Sequence, residues 1–211
     1  MNQPISTTSK PLEAIQKLTN ALLPMAKKYV SPPHRKFHYT LQGEKVCYLI
    51  QDGHIQLHRT QDGVVIHSAM APVILGLSNQ LISGAEDFFF TTKTVTTFSI
   101  ISAKKAQNII ESEQLWDFLS LFQAYLIRNM CEHSAKMTAL PTYKIIRNQL
   151  LNLINEPEEI RAEITAVQYI QERTLLSRSG IMSMLSQLKT GNYIKLEKGH
   201  LMGVNHIPLK Y

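Results

Sequence analysis

The side chains best suited to recognition chemistry lie together near the C-terminal end of the chain. Ser177, Arg178 and Ser179 open a stretch with apolar residues at helical spacing, and Ser183 and Gln187 follow on its polar side. Arginine presents paired donors that match guanine O6 and N7 or a phosphate, and hydroxyl and amide groups bond to bases or phosphates. These residues therefore predict a surface that binds double-stranded DNA.

A second basic group follows in a predicted β-hairpin. Lys195, Lys198 and His200 stand in two strand-like runs that flank a Lys198-Gly199 turn. Residues 177–211 hold five Lys/Arg and one Asp/Glu, a net charge of +4, in a chain whose formal net charge is +6. Such cations suit backbone phosphates, which position a protein on DNA without reading its sequence.

Start and stop signals define the elements that must position these side chains. Thr165 and Gln168 fit a capping box at one helix start, and Ser177 is a good N-cap for the next helix. Residues 173–176 have the length of a tight turn between them, and Gly191 with its neighbour ends the second helix. Helix, turn, helix and hairpin in that order predict a winged helix-turn-helix, whose second helix enters the major groove.

The N-terminal half is predicted to be mainly β-structure. Residues 12–30 have helical spacing, interrupted at Pro24, and residues 37–101 are rich in short alternating runs. Asp52-Gly53 and Asp62-Gly63 are typical of two-residue hairpin turns. About seven or eight short strands predict an antiparallel β-roll.

A short helix over residues 103–111 and a long one over residues 112–137 are predicted next. A helix that is apolar on two faces has two partners, which favours a homodimer; a helix buried within its own domain is the alternative. Aspartate at Leu126 or Met130 is expected to give a monomer. The first apolar strip comprises Leu115, Leu119, Phe122, Leu126, Met130, His133 and Met137, and the second Trp116, Phe118, Leu121 and Tyr125.

These elements predict an α+β chain in three parts. Residues 1–111 form an N-terminal helix and β-roll, residues 112–140 a connecting and dimerisation helix, and residues 141–211 a winged helix domain. The 44% hydrophobic and 18% charged residues are typical of a globular protein. No apolar run approaches the ~20 residues of a membrane span, and two cysteines without metal spacing favour a reducing compartment. We therefore expect a cytoplasmic protein without cofactor, metal or membrane contact.

A set of short motifs lies between residue 146 and the C-terminal end. They are Ile146-Arg147, Tyr169-Ile170, Arg173-Thr174, Ser177-Arg178-Ser179, Gly191-Asn192-Tyr193-Ile194 and Gly203-Val204-Asn205, with Leu209 and Tyr211. This set resembles the bacterial family of winged-helix regulators called inhibitor of hydrogen peroxide resistance. More distantly, the layout resembles the cyclic-AMP-receptor and Fnr class. The resemblance implies a transcription factor connected with the oxidative-stress response.

The chain departs from that wider class at its ligand sites. Leu77 stands where the class has the glutamate that holds a cyclic nucleotide, and no arginine occurs between Arg59 and Arg128 to bind its phosphate. The two cysteines cannot supply the four thiolates of the Fnr cluster. Ser179 and Ser183 replace a glutamate and an arginine of the class, so its DNA motif does not transfer. We expect no cyclic-nucleotide binding.

Two further hypotheses remain open. A winged helix can dock another protein instead of DNA, and salt-dependent duplex binding would separate these functions.

If both Asp-Gly pairs are hairpin turns, Cys47 lies opposite His58 and His58 opposite His67, about 5 Å apart at Cβ. Such a row could bind zinc or tune the thiol; an ordinary polar face is the alternative. The sequence contains no phosphate loop, Ser-His-Asp set or zinc-protease motif, so it does not predict an enzyme.

Overall fold

The structure is a computed structural model that describes residues 10–80, 87–137 and 141–208, with the backbone alone for residues 79–80 and 132–137. The chain divides into two compact units. One contains residues 1–62 and 66–131, and the other contains residues 132–211 together with 63–65. The predicted boundary at Leu140 lies outside the described residues.

The N-terminal unit opens with helix α1, Leu12–Leu22, a 3-10 turn at Leu23–Met25 and strand β1, Lys27–Ser31. The predicted helix over residues 12–30 is therefore wrong beyond Met25. Pro24 cannot donate a helical hydrogen bond, and β1 instead pairs antiparallel with residues 96–100. Strand pairing outweighs a helical pattern that continues past the proline.

Eight further strands follow β1 in this unit. They are β2 Lys36–His38, β3 Thr40–Leu41, β4 Glu44–Asp52, β5 His54–Arg59, β6 Val65–Met70, β7 Val73–Leu75, β8 Phe88–Thr92 and β9 Thr96–Ser102. The strands form two antiparallel sheets that face each other. One has the order β1-β9-β4-β3, with β7 also on β4, and the other has the order β2-β8-β5-β6. Aromatic rings fill the space between them, with the centroids of Tyr48 and Phe90 4.8 Å apart and those of Phe37 and Phe98 5.1 Å apart.

Neither Asp-Gly pair makes the predicted two-residue hairpin. β4 and β5 belong to different sheets, so the turn at Gly53 carries the chain from one sheet to the other. Gly53 has a φ of +102°, and a Cβ there would lie 2.8 Å from the carbonyl oxygen of Val95. β5 and β6 are neighbours, but residues 60–64 connect them, and the Arg59 guanidinium donates to the Asp62 carboxylate at this connection.

The predicted row of Cys47, His58 and His67 is wrong. Cys47 pairs with Ile101 and is fully buried, and that burial raises the pKa of its thiol to about 12. His58 pairs with Phe89 on the other sheet, stacks on its ring at 4.8 Å, and has Nε2 2.9 Å from Thr91 Oγ1. Cys47 is therefore a core residue rather than a metal ligand.

Two helices follow the sheets. Helix α2, Ala103–Ser112, is capped by the Ser102 hydroxyl, and helix α3 runs over Trp116–Met137. The long helix therefore starts later than predicted, because the chain turns at Gln114, which has a φ of +55°. Leu115, just before α3, and Leu119 and Phe122 on its inner face are buried in the core. Trp116, Leu121, Ile127 and Met130 are exposed, and the side chains of His133 and Met137 lie outside the described residues.

The C-terminal unit has the predicted order of elements. Helix α4 packs on helix α6 and strand β11 around a core that includes Ile146, Leu150, Tyr169, Ile181 and Leu188. Within the described ranges, no helix is long and apolar enough to cross a membrane. The elements are α4 Thr142–Ile154, α5 Glu158–Glu163, α6 Ala166–Arg173, α7 Arg178–Thr190, β10 Ile194–Glu197 and β11 His200–Val204.

Candidate nucleic-acid interface

Hydroxyl side chains define where the helices of the helix-turn-helix begin and end. The Thr165 hydroxyl accepts a hydrogen bond from the Gln168 amide at 3.2 Å and starts α6, as predicted. The Gln168 side chain donates to Glu172 at 3.0 Å, so the reciprocal half of the capping box is replaced by a contact within the helix. At the other end, the Thr174 hydroxyl donates to the Ile170 carbonyl at 2.8 Å.

Ser177 is the N-cap of α7, which confirms its predicted local role. Its hydroxyl accepts from the Gly180 amide at 3.2 Å and lies 3.4 Å from the Ser179 hydroxyl. A Cβ on Gly180 would lie 3.1 Å from the hydroxyl oxygen of Ser177. The absence of a side chain at Gly180 therefore leaves room for the cap.

Arg178 is the first residue of α7 and is exposed. Its Nη1 donates to Gln171 Oε1 of α6 at 3.2 Å. This contact holds the guanidinium beside the helix N-terminus, where backbone amides also favour an anion. Nothing in the sequence pairs Gln171 with Arg178, because their contact depends on how α6 and α7 cross.

One side of α7 is buried and the other is open to solvent. Ile181, Leu185 and Leu188 face the core. Gln187 lies two and a half turns after Arg178, so these two side chains occupy opposite flanks of the helix. The structure groups Ser177, Arg178, Ser179 and Ser183 on the first turns of the exposed side. Met182 in those turns, and Ser186 and Thr190 further along the helix, are also exposed and were not predicted.

The wing is a two-residue hairpin, as predicted. Lys198 and Gly199 both have positive φ, at +49° and +89°, and the Gly199 carbonyl accepts from the Ala166 amide at 2.9 Å, which ties the wing to the start of α6. Lys198 is exposed. Lys195 is exposed too, and its Nζ lies 3.0 Å from Glu197.

His200 differs from the wing lysines. It is half-buried, and its Nδ1 lies 3.1 Å from the Ile164 carbonyl oxygen and 3.3 Å from that of Arg161. The imidazole is therefore engaged within its own unit through Nδ1. Only Nε2 is left for the phosphate contact expected from the sequence.

The buried side chain of Arg173 connects α6 with the segment between α4 and α5. The Arg173 guanidinium is 5% exposed, and its Cζ lies 3.5 Å from the centre of the Tyr169 ring. It lies 4.0 Å from Glu156, which accepts from the Tyr169 hydroxyl at 2.9 Å. Desolvation raises the pKa of Tyr169 above its ordinary value, so its hydroxyl remains a hydrogen-bond donor to the carboxylate.

Several known proteins are similar to this chain in sequence. Residues 142–209 match a family model described as winged helix-turn-helix DNA binding. Over 164 residues, 78% of this chain and 79% of the relative, the sequence is 31% identical to the inhibitor of hydrogen peroxide resistance from Escherichia coli K12. The chain belongs to the inhibitor of hydrogen peroxide resistance family. A second member, from Salmonella typhimurium, is 27% identical over 212 residues, 96% of this chain and 98% of that protein.

Solved structures share the fold of this family member at low sequence identity. The c-di-GMP responsive global regulator CLP from Xanthomonas campestris superposes with a TM-score of 0.74 at 14% identity, covering 90% of this chain and all of that one. A transcriptional regulator of the Crp/Fnr family from Eubacterium rectale gives 0.69 at 14% identity, covering 90% of each chain. These comparisons confirm the predicted α+β, Crp/Fnr-like fold. Together with the winged helix-turn-helix DNA-binding model, they support a DNA-binding transcription regulator.

Proposed function

We propose that this family member is a homodimeric, sequence-specific transcription regulator of hydrogen peroxide resistance that works without a cyclic nucleotide. The observation that carries the DNA-reading part is Arg178, exposed in the first turn of a capped helix within a winged helix-turn-helix. The connection with peroxide rests on the names of the relatives. The parts of the proposal have separate structural support and separate tests.

DNA reading follows from the geometry of α7 and the wing. The first turn of such a helix enters the major groove, where Arg178 can bridge O6 and N7 of a guanine. Ser179 and Ser183 lie beside it and can bond to bases or phosphates. Lys195 and Lys198 on the wing supply charge for the phosphate backbone, which fixes position without reading sequence.

Mapping the DNA bound in cells, with and without hydrogen peroxide, tests this function. We expect the recovered fragments to share one sequence with two-fold symmetry, its half-sites separated by about one helical turn of DNA. We also expect genes of peroxide resistance near them. Fragments without a shared sequence would contradict sequence-specific binding, and sites remote from such genes would contradict the peroxide connection alone.

The outer face of α3 supports a dimer. Ile127 is 61% exposed and Met130 is 58% exposed. Leu126 instead packs against that core. It is therefore a poor position for the aspartate test expected from the sequence, since a charge there would damage the fold of the N-terminal unit.

Aspartate at both Ile127 and Met130 should convert the dimer to a monomer, because a buried interface cannot accommodate unpaired carboxylates. Light scattering coupled to size exclusion at micromolar concentration measures the mass. Met25→Asp is the matched control, since Met25 is 60% exposed elsewhere on the unit, and it should leave the dimer intact. A monomeric unmodified protein would contradict the dimer.

Independence from cyclic nucleotide is supported by the segment around Gly76. Leu77, which occupies the position of the class glutamate, packs into the hydrophobic core. Gly76 has a φ of +89°, and a Cβ there would lie 2.6 Å from the Val46 carbonyl oxygen. The chain has no arginine between Arg59 and Arg128 to hold a cyclic phosphate.

Titration calorimetry with cyclic AMP and cyclic GMP should therefore show no binding up to millimolar nucleotide. A buried phosphate without an arginine partner lacks the bidentate charge-assisted hydrogen bonds that arginine supplies. Micromolar affinity for either nucleotide would contradict this part of the proposal while leaving DNA binding untouched.

Lys198→Asn on the wing should weaken binding to every DNA sequence alike and lower the salt dependence by about one ion, because one phosphate contact is lost. Asparagine is chosen because it tolerates the positive φ of this turn position better than most residues. Titration of specific and scrambled duplexes at several salt concentrations checks this. Loss confined to the specific duplex would contradict a backbone role.

A further inference from the structure

Met182 is an apolar side chain on the open side of α7. It is 51% exposed, whereas Ile181 and Leu185 beside it are buried and Met184 packs against the core. Single exposed apolar residues are common on protein surfaces, so exposure alone assigns no role. The position of Met182 relative to Arg178 gives it one.

Met182 follows Arg178 by one helical turn. Side chains four residues apart are neighbours on the same helix face, about 6 Å apart. Successive bases along one DNA strand are about 3.4 Å apart. A helix that sets Arg178 on a guanine therefore brings Met182 to a base pair one or two steps away.

The major groove displays one characteristic apolar group, the C5-methyl of thymine. We infer that Met182 contacts a thymine methyl within two base pairs of the guanine read by Arg178. This assignment rests on the proposed function, because it requires α7 to lie in the major groove. It adds a second base to the recognition sequence that the arginine alone would specify.

The neighbours of Met182 strengthen the assignment. Ser179, Ser183 and Ser186 carry hydroxyls, which donate or accept and so tolerate more than one base. α7 contains no Asp, Glu or Asn, the side chains that pair with cytosine or, for Asn, adenine. Its glutamine, Gln187, can also pair with adenine but lies in the third turn. In the first two turns, Arg178 and Met182 are thus the side chains with a single preferred base.

Single replacement of each operator thymine by deoxyuridine, which lacks the methyl group, tests the contact. With the full-length protein, one thymine in each half-site should respond, and each replacement should weaken binding about fourfold, the effect of burying one methyl group. Met182→Ala should abolish this response, and Met182→Leu should preserve it. Met202→Ala is the matched control, since Met202 is also 51% exposed but lies on the wing, and it should keep the response.

The outcomes separate the inference from the function on which it rests. A deoxyuridine profile that is the same for the unmodified protein and Met182→Ala would overturn the contact while leaving DNA reading in place. The same holds if no thymine responds in the unmodified protein. Failure to bind any duplex would overturn the proposed function and the contact together.

Discussion

Replacing Arg178 with alanine should weaken binding to the operator by about 5- to 150-fold, the cost of losing one bidentate contact with guanine. Preference at one base pair of each half-site should relax at the same time. The fold should survive, because Arg178 is exposed and its hydrogen bond within the described residues is to Gln171 on the surface of α6.

The measurement is a titration of the operator and of variants substituted at each base pair. Lys195→Ala is the matched control, since it also removes an exposed cation from the candidate interface. Lys195 lies on the wing, so this change should weaken binding to all sequences alike and leave the preference at each base pair unchanged. An Arg178→Ala protein that is folded and retains full affinity for the operator would refute the assignment of α7 as the reading helix.

Replacing Arg173 with methionine should lower the free energy of unfolding of the C-terminal unit by about 3–5 kcal/mol. Removing one partner of a buried ion pair leaves the other charge uncompensated. Here the Glu156 carboxylate, 13% exposed and 4.0 Å from the guanidinium, and the more exposed Glu172 carboxylate, 3.8 Å away, both lose their cation. The change also removes the cation from the face of the Tyr169 ring. Arg173 and Arg178 are five positions apart, yet the first is buried within the unit and the second is exposed at the proposed DNA interface.

Urea unfolding, with amide hydrogen exchange in α6 as a local probe, measures this loss. Arg178→Met is the control and should be close to neutral because that side chain is exposed. Adding Glu156→Gln to Arg173→Met should recover part of the loss, because the unpaired carboxylate is then neutral. A loss below about 1 kcal/mol, the range of surface ion pairs, would show that the cluster does not stabilise α6.

Local chemistry made much of the DNA-binding unit predictable. Ser177 and Thr165 cap their helices through hydroxyl contacts within three residues, and such contacts are visible as sequence spacing. The wing turn at Lys198-Gly199 is equally local. Exposure of Arg178 followed from the apolar periodicity of α7, which assigns one face to the core.

Features that depend on distant pairing were not predictable. Asp52-Gly53 has the composition of a hairpin turn, but β4 finds its partners in β7 and β9, so the turn joins two sheets instead. The burial of Arg173 arises from contacts with Glu156 and Tyr169, made only when α6 packs against the segment before α5. Met182 was also left out of the predicted surface, although the helical spacing of Ile181, Leu185 and Leu188 already places it off the core face.

Binding of the full-length protein to its mapped operator and to a scrambled duplex, over a range of salt concentrations, tests the central claim most directly. We expect log affinity to fall linearly with log salt for both duplexes, with the operator preferred about 10³-fold or more. Arg178→Ala should reduce the preference for the operator over the scrambled duplex by about 5- to 150-fold. It should leave the slope of log affinity against log salt nearly unchanged. Equal affinity for the two duplexes, or no salt-dependent binding at all, would contradict sequence-specific DNA reading and favour a winged helix that docks another protein.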